Sequence, residues 1–332
     1  MRVETDGGSW HVVATTGARF ASFAPYVPSI SRSGVVAFQA TLVTGGSEVV
    51  VATDGDVAPI TVPGIAEAIS HPDVNDAGAV GFYGVLDDGH RAVIKVQADD
   101  VSVLADTHTF REIGPAGPTM NASGAVAFRA IRSDGAPGVF LANTEGVHVI
   151  AAAGALWREF HGLPVVGATG EVVFRATQES GRDGIYRARS GEIRAVVETG
   201  PVYASLGFFP SVSEDGVVAF AATLESGAGG IYTAAPSGRI TSVLRDGAYA
   251  SYRGALIADG TTVVSLATPI RGALGLFRGP DPQRDRLLAV SDCLLGSTVT
   301  EFAANPVSIN PRGQLTARVS LRDGRQLILV TP

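Results

Sequence analysis

A chain of 332 residues with 45% hydrophobic and 17% charged content can bury a sizeable core, and its 41 glycines and 18 prolines argue against a mainly helical one. A formal charge of -7, a single lysine (Lys95) and no basic tract give no electrostatic reason to bind nucleic acid or an anionic membrane. The lone cysteine, Cys293, excludes an internal disulfide and cysteine-based zinc sites.

The first residues, MRVETDGGSW, lack the basic-then-apolar pattern of a signal peptide, and no apolar run reaches bilayer length. The expectation is a soluble cytoplasmic protein, monomeric by default. Along the chain a turn glycine recurs at Gly34, Gly78, Gly124, Gly170, Gly216, Gly260 and Gly313, at spacings of 44, 46, 46, 46, 44 and 53. Around these glycines stand PSISRSGVVAF, PDVNDAGAVGF, PTMNASGAVAF, PVVGATGEVVF, PSVSEDGVVAF, the degenerate GALIADGTTVV, and VSINPRGQLTA. Each unit parses as a short inner strand, a turn, a long second strand such as AVAFRAIR, a third such as GIYRA, and an outer strand such as IRAVVET. In PSVSEDGVVAF, Gly216 supplies the positive φ of the turn, and the Ser213 hydroxyl is suited to closing it. Asp54-Gly55-Asp56 and Asp87-Asp88-Gly89 read as further turns.

A period in the forties with no helical stretch predicts an all-β fold, a seven-bladed β-propeller with four-stranded antiparallel blades. The predicted blades span residues 18–62, 63–106, 107–152, 153–199, 200–245, 246–291 and 292–332, in one domain. The seventh unit has no outer strand of its own, and GSWHVVATTG, within residues 1–17, matches that pattern. The N-terminal strand should therefore complete the last blade and close the ring. Asn75 to Phe82 and Asn121 to Phe128, with serine variants at Ser31 and Ser213, resemble the bacterial NxxGxxxAF tandem-repeat proteins over nearly the whole chain. That resemblance implies architecture and carries no catalytic residues. It weakens in the fourth unit, where Gly167 replaces the Asn, and further in the sixth.

Ligand sites on such a ring are expected on the face carrying the entry loops, at the mouth of the central channel. One column in those loops holds Ser22, Glu67, Glu112, Glu159, Ser205, Ser251 and Glu301. A column of the second strand holds Gln39, Tyr83, Arg129, Arg175, Ala221, Leu266 and Arg318. Glu112 with Arg129, Glu159 with Arg175 and Glu301 with Arg318 lie 17, 16 and 17 residues apart and are expected as structural ion pairs. Glu67 faces Tyr83 in place of an arginine, with His71 close behind. These three are the candidate acid–base residues, because burial would raise the carboxyl pKa. His108, Trp157, His161, Phe209, Tyr252, Arg253 and Tyr26 are candidate substrate-binding residues around the mouth, giving an aromatic wall opposite a polar one. His11, His90 and His148 read as surface residues.

No phosphate-binding, nucleophile-elbow or metal-binding motif is present, so no cofactor and no metal are expected. Two functions fit. One is a cofactor-independent isomerase, lyase or cyclase acting on a small amphipathic molecule. The other is a non-catalytic module that binds a glycan, peptide or protein.

Overall fold

A computed structural model describes every residue except 6, 7, 54, 61 and 246, so Asp54 of the first expected turn lies outside the described residues. The chain forms seven antiparallel sheets in a ring, an all-β seven-bladed β-propeller. Blade 4 is the simplest: Trp157–Val166 is innermost, followed outward by Val172–Gln178, Asp183–Arg189 and Glu192–Glu198. Among the described residues there is no α-helix, only a 3-10 turn at Pro306–Ser308, and no helix long and apolar enough to cross a membrane.

The second strand of each blade has strand neighbours on both sides and a packed sheet on both faces. It therefore reads as a continuous apolar run, as in Val80–Leu86, whose first five residues are all buried. The repeat phenylalanines Phe38, Phe82, Phe128, Phe174 and Phe220 are each at most 2% exposed. Each contributes about 2–3 kcal/mol of burial. Six of the seven turn glycines have φ between 74° and 93°, as the turn requires. Gly260 does not; there the Asp259 carboxylate accepts from the Thr261 and Thr262 amides at 2.8 and 2.6 Å and forms the turn another way.

The ring closes as the sequence indicates. Gly8–Thr15 pairs antiparallel with Gln326–Val330 as the outer strand of the seventh blade, anchored by the fully buried Trp10. Arg2–Thr5 adds one more strand outside it.

The innermost strands differ from the sequence reading. The segments read as entry loops are the first halves of these strands: Phe20–Phe23 and Ser29–Ile30 both pair with Val36–Leu42, and Tyr203–Leu206 and Ser211–Val212 both pair with Val218–Leu224. Between the halves the chain leaves the ladder in a short excursion, which begins where the amide of Ala24, Ile69, Gly114 or Gly207 bonds the carbonyl of Gln39, Tyr83, Arg129 or Ala221. The prolines and glycines there disfavour regular pairing.

Two sets of side chains stitch neighbouring innermost strands together. In the first, Asn75 Oδ1 accepts from the Ala77 and Ala79 amides while its Nδ2 donates to Asn121 O. Asn121 repeats this, with its Nδ2 on Gly167 O, and Asn310 does so with Ser31 O. Asparagine recurs because it alone caps its own turn as acceptor and reaches the next blade as donor. Ser31 and Ser213 keep only the cap, accepting from the amides of Val35 and Val217. At Gly167 the space of the missing side chain is taken by the buried Glu171. The second set follows the repeat proline: Ser29, Asp73, Thr119 and Ser211 accept from the amides of Val74, Met120, Val166 and Ile257 in the next blade.

Candidate functional site

Two cavities lie along the channel. The smaller, about 160 Å³, is walled by the turn and stitching residues of six blades, among them Asp73, Asn75, Asn121 and Ser213. Its polar groups are largely engaged in holding the ring. The larger, about 350 Å³, lies on the other side and is walled by the excursions of blades 1, 2 and 3 (Pro25–Val27, Ile69–His71 and Ile113–Gly117), with Tyr83, Arg91, Leu163 and Asn305.

The excursions are held by the second-strand column. Gln39 Nε2 donates to Ala68 O at 2.6 Å, Arg129 Nη1 to Gly162 O at 3.0 Å and Arg175 Nη1 to Gly207 O at 3.0 Å, each reaching into the following blade. Tyr83 occupies the same column in blade 2 and breaks the pattern. Its ring lies 4.0 Å from where a Cβ on Gly114 would stand, and its buried hydroxyl has no partner in hydrogen-bond geometry. Burial drives the phenol pKa well above its usual value, opposed in part by the backbone and charge of Arg129. The Tyr83 amide is fixed by Ser70 Oγ at 2.8 Å, and that hydroxyl donates to His71 O at 3.0 Å.

His71 is buried beside it, with Nε2 2.9 Å from Pro118 O. A carbonyl only accepts, so Nε2 carries the proton and the neutral ring has Nδ1 as its acceptor. Burial pulls its pKa down to about 4, with the Pro118 carbonyl opposing. The imidazole fits because position 117 is glycine; a Cβ there would collide with the ring.

The structure thus brings Tyr83, His71 and Tyr26 to one cavity and leaves Glu67 elsewhere. Glu67 is exposed, paired with Val85, and lines a separate cleft with Glu48, Ile60 and Phe82. An acid–base trio through Glu67 does not form, because residue 67 lies on the regular half-strand before the excursion that carries His71. Trp157 packs inside blade 4 against Phe174 and Tyr186 and is a core residue. Tyr252 and Phe209 pack at blades 5, 6 and 7, Phe209 over Gly254. Arg253 is exposed and its carbonyl accepts from Phe208 N. His161, half-buried, bonds Thr177 Oγ1 at 2.7 Å; burial and then Arg175 lower its pKa. His108 is exposed on the connection between blades 2 and 3.

The expected ion pairs are redistributed. Arg318 meets Glu301 at 2.9 Å, but Arg175 is paired with Asp183 of its own blade, and Arg129 serves a carbonyl. Glu112 and Glu159 are exposed. Arg318 keeps a glutamate partner, Arg175 takes an aspartate of its own blade together with the Gly207 carbonyl, and Arg129 takes the Gly162 carbonyl, partners that residue spacing cannot identify. Ser70, Gly117 and Arg91 were missed for the same reason.

No family model and no curated protein matches this sequence. Solved structures match it along its length. An oligogalacturonate lyase from Vibrio parahaemolyticus is 13% identical, with a TM-score of 0.64 over 99% of this chain and 96% of that one. An oligogalacturonate lyase solved in complex with manganese is also 13% identical, with a TM-score of 0.61 over 98% of each chain. An acylaminoacyl peptidase from Pyrococcus horikoshii is 15% identical, with a TM-score of 0.57 over 89% of this chain and 49% of that one. What this chain shares with them is the fold.

Proposed function

We propose that the larger channel cavity binds a small, oxygen-bearing organic molecule, with the Tyr83 hydroxyl as its main donor. The observation that carries this reading is that Tyr83, His71 and Arg91 line one cavity, with the buried Tyr83 hydroxyl lacking a partner in hydrogen-bond geometry. Leaving such a group unpaired costs about 1–3 kcal/mol, which a ligand oxygen would recover. The cavity volume of about 350 Å³ suits a molecule of roughly monosaccharide size. The protonated phenol supplies a donor, neutral His71 an acceptor, and Arg91 a cation suited to a carboxylate. Sugar acids and hydroxy acids combine these features, and the similarity in fold to lyases that act on oligogalacturonate supports testing them first.

The second reading is turnover, an isomerisation or elimination in which Tyr83 stabilises a developing oxyanion. The dry, pre-placed donor favours it. Against it, a base with a pKa near 4 is weak at neutral pH, so His71 is better suited to recognition than to proton abstraction.

A panel of sugar acids, hydroxy acids and neutral sugars, screened by thermal shift, tests both readings. A compound that stabilises the native protein should bind Tyr83→Phe about tenfold more weakly, the value of one good hydrogen bond. Gly117→Ala, which displaces His71 without requiring a left-handed backbone, should also weaken it. Equal stabilisation of all three proteins would overturn the assignment of the cavity, and conversion of the bound compound would favour the enzyme.

A further inference from the structure

We propose that Asp88, His90 and His108 form a site for one divalent first-row transition metal ion on the rim of blade 2. One ligand atom from each of the three side chains lies within 4.8 Å of those of the other two. The hairpin Arg91–Gln97 to Asp100–Asp106 folds the two histidines together, so that Ala92 lies opposite Asp106 and the Thr107 amide bonds Arg91 O. The imidazole rings stack with centroids 3.6 Å apart and planes 22° from parallel.

The surrounding groups orient the ligands as metal sites require. His108 Nδ1 is 3.2 Å from Asp106 Oδ2, and the same carboxylate accepts from the His108 amide at 3.0 Å. A carboxylate holds the proton on Nδ1 and leaves Nε2 with its lone pair, 3.9 Å from Asp88 Oδ2. His90 Nδ1 lies 3.1 Å from Thr107 Oγ1, which can accept its proton and leave Nε2 of that ring free as well. Asp88 is fixed through Oδ1, which accepts from the His90 amide at 3.0 Å. Bonds of about 2.0–2.2 Å to nitrogen and oxygen need the three ligand atoms to close in by up to about 1 Å. His108 and Asp88 have side chains 55% and 54% exposed, so they can make that adjustment without disturbing the core.

Two imidazoles and one carboxylate, with open positions toward solvent, suit zinc, nickel, cobalt or manganese and disfavour calcium, which takes six or more oxygens. The ion would tie the turn before Arg91 to the connection between blades 2 and 3. The site escapes a motif search because the hairpin Arg91–Gln97 to Asp100–Asp106 separates its ligands in sequence.

Isothermal titration of the EDTA-treated full chain with Zn2+ alone tests the proposal. Binding of a single equivalent is expected at pH 7.5. His90→Ala and His108→Ala should each abolish it, with melting temperatures in EDTA little changed, since His108 is exposed and His90 is only half-buried. Asp106→Asn, a positioning change, should weaken binding about 10- to 100-fold. His148→Ala should bind as the native protein does. No stoichiometric binding to the native chain, or binding that survives both His90→Ala and His108→Ala, would overturn the site.

Discussion

The two ends of the channel are built from the same repeat, yet they treat polar side chains in opposite ways. At the stitched end, asparagines and the residues after the repeat prolines pass hydrogen bonds from blade to blade. At the cavity end, Gln39, Arg129 and Arg175 do the corresponding work, but Tyr83 does not, and its hydroxyl is left buried and unpartnered. One end uses most of its polar groups to hold the ring. The other leaves one buried hydroxyl without a partner in hydrogen-bond geometry.

This contrast can be broken most sharply at Asn121. Asn121→Ala removes the acceptor for the Ser123 and Ala125 amides and the donor to Gly167 O, and should destabilise the fold by about 2–4 kcal/mol in urea titration. Asn121→Ser keeps the cap found at Ser31 and Ser213 but loses the reach to the next blade, so it should cost about 1 kcal/mol. Equal losses for the two variants would show that the cap carries none of the stability, and no loss for Asn121→Ser would show that the inter-blade bond carries none.

Asp73 gives a pH-dependent test at the same end. Burial raises its carboxyl to about 7, opposed by the Met120 and Val74 amides, so the folded state holds a proton that the unfolded chain releases near 4. The folded protein binds more protons between those values, and this contribution to stability is present below about pH 4 and is lost as pH rises through 7. Asp73→Ser, which installs the residue used at Ser29 and Ser211, should therefore be more stable than the native protein at pH 8, with the gap narrowing toward pH 4. Denaturation curves measured across that range check the sign, and a gap that widens on acidification would contradict it.

The smallest expected effect sharpens the comparison from the cavity end. Tyr83→Phe should leave the apo protein as stable as the native one or raise its stability by up to about 1 kcal/mol, since it removes an unpaired buried hydroxyl. A clear loss in thermal unfolding without ligand would mean that the hydroxyl already has a structural partner.

Much of the ring was legible in the sequence. The glycine period gave the blade count, and the GSWHVVATTG strand gave the closure, with Trp10 its buried anchor. The exceptional position of Tyr83 could also be read, because four of the seven residues in its column are arginine or glutamine, at Gln39, Arg129, Arg175 and Arg318. The grouping around it could not. Glu67 and His71 are four residues apart, but a half-strand ends between them, placing one in an outer cleft and the other in the channel.

Local pattern therefore determined the strands, turns and ring order, since these depend on backbone geometry and burial repeated at each period. The excursions, the partners of the arginines, and the meeting of His90 with His108 were decided only by tertiary structure. Each depends on where a carbonyl or a ring from another strand or blade arrives in space, and no interval within one repeat encodes that.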